Sequence, residues 1–279
     1  MKALNCISGK LISTIATVFF LAMFSGGDIL PGPKTSAAQS ASRKATKANT
    51  LKKDVPSDVV MPFRVGEILK YQVAWAAFTT AASVQMNVAE RRDLFGWGTW
   101  HFRAVAHTVS PVRSLFAIDD QFDSYTDAAS LESRQYEMYL NEMGKKQDRV
   151  IHLLPMGQAP RGNLPRVVVL PGTRDPLGAL YALRGVDWRK TPEFRAPVYD
   201  GRDVYELRAR LVAANETITV AAGNYSASRI SIHLFQHDKE VSGMNFSAWL
   251  AHDPARTPVL MQADLPFGNL RVELTSTTQ

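Results

Sequence analysis

The 279-residue sequence predicts a mainly β fold: an antiparallel curved sheet, half-barrel or barrel with one packed helix. Three observations predict it. The last forty residues read as three period-2 strands: Phe246, Ala248 and Leu250, then Val259, Met261 and Ala263, then Leu270, Val272 and Leu274. Turn-forming Asp253-Pro254, Thr257-Pro258 and Pro266 to Gly268 separate them. Further alternating runs recur at short spacing from residue 63 onward, as in sandwiches and barrels.

In chain order, residues 1–38 read as a signal peptide. Lys2 and Lys10 precede an apolar run from Leu11 to Phe24, and Ser36-Ala37-Ala38 offers small residues for cleavage. The run is shorter than the roughly 20 apolar residues of a spanning helix, so no transmembrane span is expected once it is cleaved. An uncleaved anchor is the other reading of the same residues. Residues 39–62, rich in Ser, Ala, Thr and Lys, read as a flexible linker. Residues 63–276 are expected to form one β-rich domain.

Phe63, Val65, Leu69, Tyr71, Val73 and Trp75 share a face of a first strand, with Thr79 to Ser83 as a turn or bulge. Ala82 to Val88 and Trp100 to Ala106 give two more strands around a loop at Arg91 to Gly98. A dense patch from Leu115 to Asp127 leads to Tyr136, Met138 and Leu140, and Gly144-Lys145-Lys146 turns the chain into Arg149 to Leu154. The single helix is predicted at about 175–184. Asp175 is its N-cap candidate, Pro176 stands at N1, and Leu177, Leu180, Tyr181 and Arg184 have helical spacing. Asp200-Gly201 signals a hairpin into Tyr205 to Leu211, followed by Asn215 to Val220 and Tyr225 to Leu234.

Charge and chemistry exclude several classes. The formal charge is +6, but residues 1–60 carry eight Lys or Arg against three Asp, which leaves +1 for the remainder and no basis for nucleic-acid binding. The one cysteine, Cys6, precedes the apolar run, so a mature chain has no thiol for a disulfide, nucleophile or thiolate metal site. The six histidines show no compact ligand spacing, and no metal or cofactor is expected. No nucleophile elbow or phosphate-cradling glycine loop occurs.

Two sets of residues remain. Asp119, Asp120, Asp123 and Asp127 form the densest carboxylate group, of a kind that suits calcium but without the Asp-x-Asp-x-Asp-Gly order of a compact calcium loop. Asp119, Asp120 and Asp123 are candidates for acid–base work in a glycan or lipid hydrolase, or simply for turn capping. Tyr71, Trp75, Phe102, Tyr136, Met138 and Trp249 are large groups on strands that either fill a core or line a cavity for an apolar ligand. Trp249 lies out of phase with Phe246, Ala248 and Leu250, on the opposite face of its strand.

Phe63-Arg-Val-Gly-Glu-Ile-Leu-Lys-Tyr71, Asp120 to Ser124, Asp175 to Arg184, Glu216 to Gly223 and Trp249 to Asp253 with Pro258-Val259 form a series of blocks. In their content and order the chain resembles the bacterial exported family known as domain of unknown function 3108. The resemblance implies a Gram-negative envelope protein, exported to the periplasm, with no catalytic residues to carry over. Its β-rich pattern with a helix is similar to the periplasmic lipoprotein-carrier half-barrels. The expectation is therefore a non-enzymatic envelope protein that binds or carries a lipid-like or amphipathic ligand. A structural or protein-interaction module of the envelope is the alternative, and the hydrolase a second one.

Overall fold

The computed structural model describes residues 60–278, apart from 161, 162 and 267. The residues read as a signal peptide, and those read as a linker up to residue 59, lie outside the described residues.

The strands are β1 (Ile68–Trp75), β2 (Phe78–Leu94), β3 (Trp97–Thr108), β4 (Asp119–Asp127), β5 (Ser133–Glu142), β6 (Lys145–Pro155) and β7 (Val167–Val169). After the helix come β8 (Glu193–Tyr199), β9 (Val204–Val220), β10 (Gly223–Gln236), β11 (Lys239–Glu240), β12 (Asn245–Ala251), β13 (Pro258–Leu265) and β14 (Gly268–Thr278). One helical turn, α1 (Val112–Leu115), precedes β4, and the main helix is α2 (Pro176–Gly185). All belong to one nearly closed barrel sheet in the order β7-β6-β5-β4-β3-β2-β1-β14-β13-β12-β10-β9-β8, with β11 paired to β10. Every pairing is antiparallel except β6 with β7.

β1 is the seam. It pairs with β2 on one side and with the chain's last strand on the other, placing Tyr71 opposite Leu274 and Val73 opposite Val272. The alternation that predicts each strand then points one row inward. Leu69, Tyr71, Val84, Met86, Phe102, Phe122, Tyr136, Leu207 and Leu274 are all essentially inaccessible.

The free edges are drawn together by the connection before α2. Ser133 N–H donates to Thr173 O at 3.0 Å, Arg174 N–H to Pro197 O at 3.0 Å, and Tyr199 N–H to Arg174 O at 2.8 Å. Gly201, in the β8–β9 turn, lies so close to β5 that a Cβ there would stand 2.8 Å from Met138 Cε, at a φ of +103°. Only glycine meets both demands.

Several boundaries differ from the sequence reading. β1 starts at Ile68, because Arg64 to Glu67 form a turn around Gly66 at φ +91°. The first hairpin turns at Ala76-Ala77 instead of Thr79 to Ser83, and the β-branched Thr79 and Thr80 belong to β2. β2 runs on to Leu94 through the expected loop. The two expected strands at 205–211 and 215–220 are one, β9, with an irregular register against β10 near Ala213.

Candidate functional site

α2 divides the barrel into two unlike ends. Its N-cap is Asp175, whose carboxylate accepts from Gly178 N–H at 2.9 Å and from the Ser124 and Ser133 hydroxyls at 2.5 Å each. Burial pushes that carboxyl up from its ordinary value despite these donors. At the other terminus Arg184, with no exposed surface, makes a bidentate pair with Glu67 at 2.6 and 2.7 Å. Arg256 donates to the carbonyls of Arg184, Gly185 and Val186. Between them Tyr181 lies flat on Phe102, with centroids 3.7 Å apart and planes 6° apart, and meets Phe63 edge-on. Glu67 lies just before β1, Trp100 near the start of β3, Ser133 at the start of β5 and Ala255 in the β12–β13 turn. The helix therefore plugs the end of the barrel where β1, β3 and β5 begin.

Most of the predicted ligand residues sit in this packed interior. Tyr71 is buried and its hydroxyl donates to Pro258 O at 2.9 Å. Phe102 is covered by Tyr181, and Met138 by Gly201. Tyr136 is fully buried beside Phe122, and its burial raises the phenol well above the ordinary range. Trp249 is buried as well, its indole N–H donating to Glu216 Oε2 at 2.6 Å. Trp75 alone among the six is only half buried, at the far end of β1.

The three aspartates do not converge. Asp119 is paired with Arg113 and His107, which hold its carboxyl down at about 2. Asp123 is buried within the side chains of His101, Arg103 and Gln121, at 2.5, 2.7 and 2.5 Å, and its carboxyl is likewise lowered by those donors against its burial. Asp120 shares the inward row with Phe122. Asp119 and Asp123, four residues apart, are about 13 Å apart along the strand. They make ion pairs, and no acid–base pair is assembled from the three. His101, His107 and His233 pair with carboxylates and His252 with the hydroxyls of Ser226 and Ser228, and no group of three or more possible metal ligands occurs among the described residues.

The end opposite the helix is built differently. Trp75 and Phe78 flank the β1–β2 turn with ring centroids 6.2 Å apart, and Phe116 meets Trp75 edge-on at 6.4 Å. Phe116 is held over this end by bonds through Thr108. The Thr108 hydroxyl donates to Phe116 O at 2.8 Å and accepts from Ile118 N–H at 3.0 Å. Next to it Leu115 is 58% exposed and Met143 46%. Beneath the rim an apolar recess of about 20 Å³ lies among Val73, Trp75, Val84, Ala106, Ile118 and Leu270.

Two acids stand beside that recess. Asp120 is the cross-strand partner of Ala106, and Glu142 bridges to Ile118. Asp120 Oδ1 accepts from Asn141 N–H at 2.8 Å, while Asp120 Oδ2 and Glu142 Oε1 are buried without a protein partner. Desolvation pushes Asp120 up to about 6 and Glu142 up to about 7, the second raised further by the charge of the first. Asp120 continues the phase of Phe122, and Glu142 that of Met138 and Leu140. A carboxylate in phase with the apolar row was the signal that could have singled this pair out.

Comparison with known proteins places the fold in context. Among curated proteins, none matches this sequence. A β-barrel-like protein of the DUF1849 domain from Brucella abortus is 12% identical, with a TM-score of 0.51, over 78% of this chain and 98% of that one. The shared property there is the fold. A protein described as exported, with a YmcC-like fold, from Bacteroides fragilis is a looser likeness: 10% identity and a TM-score of 0.36 over 80% of this chain and 100% of the other. The family model for a protein of unknown function, DUF3108, matches residues 70–275, so the chain belongs to that family.

Proposed function

We propose that this chain is a non-enzymatic, exported cell-envelope protein that binds an apolar or amphipathic ligand at the barrel end α2 leaves unplugged. The observation that carries the reading is the rim of Trp75, Phe78, Leu115, Phe116 and Met143, apolar and partly exposed above an apolar recess. An exposed apolar cluster around a concavity is what a ligand with a hydrocarbon part covers. The recess has room for about one water molecule. Entry of a chain therefore requires the side chains around the recess to move apart. Of the six aromatic and Met residues expected to line a cavity, Trp75 keeps that role in this proposal. Export rests on the charged, apolar and small-residue pattern of residues 1–38.

The test is native mass spectrometry and solvent extraction of protein purified from the periplasm, beside the Leu115→Asp variant. A bound apolar molecule, lost in the variant, is expected. Protein that carries no such molecule and does not bind a fluorescent long-chain probe contradicts the reading.

A second reading is favoured by one observation. β7 ends the strand order, and Val168 beside Leu170 and Met156 is mostly exposed. An unpaired apolar edge accepts an added strand. An extended peptide of a partner protein is the occupant this predicts. Crosslinking from residue 168 to a partner, with no ligand at the rim, would favour it.

A further inference from the structure

We infer that Asp120 and Glu142 form the seat for a cationic head group, an ammonium carried on the apolar chain that the rim and recess receive. This rests on the ligand site proposed above and adds the chemistry of the ligand's polar end.

The geometry is that of one sheet face. Asp120 lies across from Ala106, and Glu142 across from Ile118, so both acids neighbour residues that line the recess. Along β4 and β5 they are diagonal neighbours, a spacing at which long side chains reach a common point. Asp120 is 1% exposed, yet one of its carboxylate oxygens has no donor, and Glu142 also has a buried oxygen without one. A buried carboxylate oxygen left unpaired is costly, and a bound cation with several N–H donors would satisfy both acids at once. The aromatic rim suits the same ligand, since an ammonium is attracted to the faces of Trp and Phe. A carboxylate or phosphate head group would instead face two like charges.

The surrounding charges leave this seat to an outside cation. His107 and Arg113 are engaged by Asp119. Lys145, opposite Glu142 in the β5–β6 hairpin, makes no ion pair with it among the described contacts. In the free protein burial keeps protons on the two acids up to about pH 6 for Asp120 and about pH 7 for Glu142. Binding an ammonium expels those protons, so affinity should rise with pH through the range of about 6 to 7.

Calorimetric titration with decylamine, decanol and decanoate tests this, at pH 5 and pH 8, on the full protein and on Asp120→Asn, Glu142→Gln and the double variant. Decylamine should bind at least ten-fold tighter than decanol at pH 8. The preference should shrink at pH 5 and vanish in the double variant, which still binds decanol. Equal binding of amine and alcohol overturns the cationic seat and leaves the apolar site standing. Failure of all three probes overturns both readings. Calcium chloride alone raising the melting temperature of the parent, with no amine preference, assigns the pair to a metal ion and overturns the proposal.

Discussion

Asp120 shows how one side chain ties stability to pH. Its carboxyl titrates at about 6 in the folded protein against an ordinary value of 3.8, because burial disfavours its charge. A raised acid holds its proton in the fold while the unfolded chain has already released it. Its contribution is therefore complete below about pH 4 and is lost as pH rises toward 6, with Glu142 extending the loss to about 7. Asp120→Asn should flatten this part of the stability profile and raise the melting temperature at pH 8. Urea titrations at several pH values check it, and an unchanged slope would show that Asp120 is solvated. Arg184 is the opposite case, a charge whose partner is in place. Arg184→Ala leaves Glu67 buried and unpaired, and should cost about 3–5 kcal/mol in urea unfolding. Replacing both, as Glu67→Leu with Arg184→Met, should recover most of that loss.

At the scale of elements, α2 is the plug and the rest of that end is shaped to it. Gly178 passes so close to β4 and β5 that an added Cβ would stand 2.9 Å from Thr126 and 3.0 Å from Ser133. Tyr181→Ala removes the ring stacked on Phe102 and should cost about 3–5 kcal/mol, read as a lower urea midpoint. If the ligand site lies at the other end, a variant still folded at low temperature keeps its probe affinity. The helix was legible because Asp175, Pro176 and the spacing of Leu177, Tyr181 and Arg184 are local signals. Its position inside the barrel was not. Spacing puts Arg184 in phase with Leu177 and Tyr181 without showing what takes up its charge, and Glu67, 117 residues away, together with the Ala255 carbonyl makes its burial tolerable. For the same reason Tyr71, Phe102, Tyr136 and Met138 could not be assigned between core and cavity: alternation says which face points inward and not what fills the inside.

At the scale of the whole molecule, the meander β12-β13-β14 was readable as strands, and its place in the middle of the sheet, against β1, was not. The pairing of β14 with β1 joins residues some 200 positions apart, which no local pattern specifies. Once the sheet closes, its two ends become distinct. One is occupied by α2, Arg184 and Glu67, and the other holds the aromatic rim and the unpaired acids. That asymmetry is the central claim. It is tested most directly by irradiating the protein with a photoreactive long-chain amine and mapping the labelled peptides by mass spectrometry. Labelling should fall on the segments around Trp75–Phe78, Leu115–Ile118 and Glu142–Met143. Labelling concentrated around Phe102 and Tyr181, or spread evenly over the surface, would contradict it.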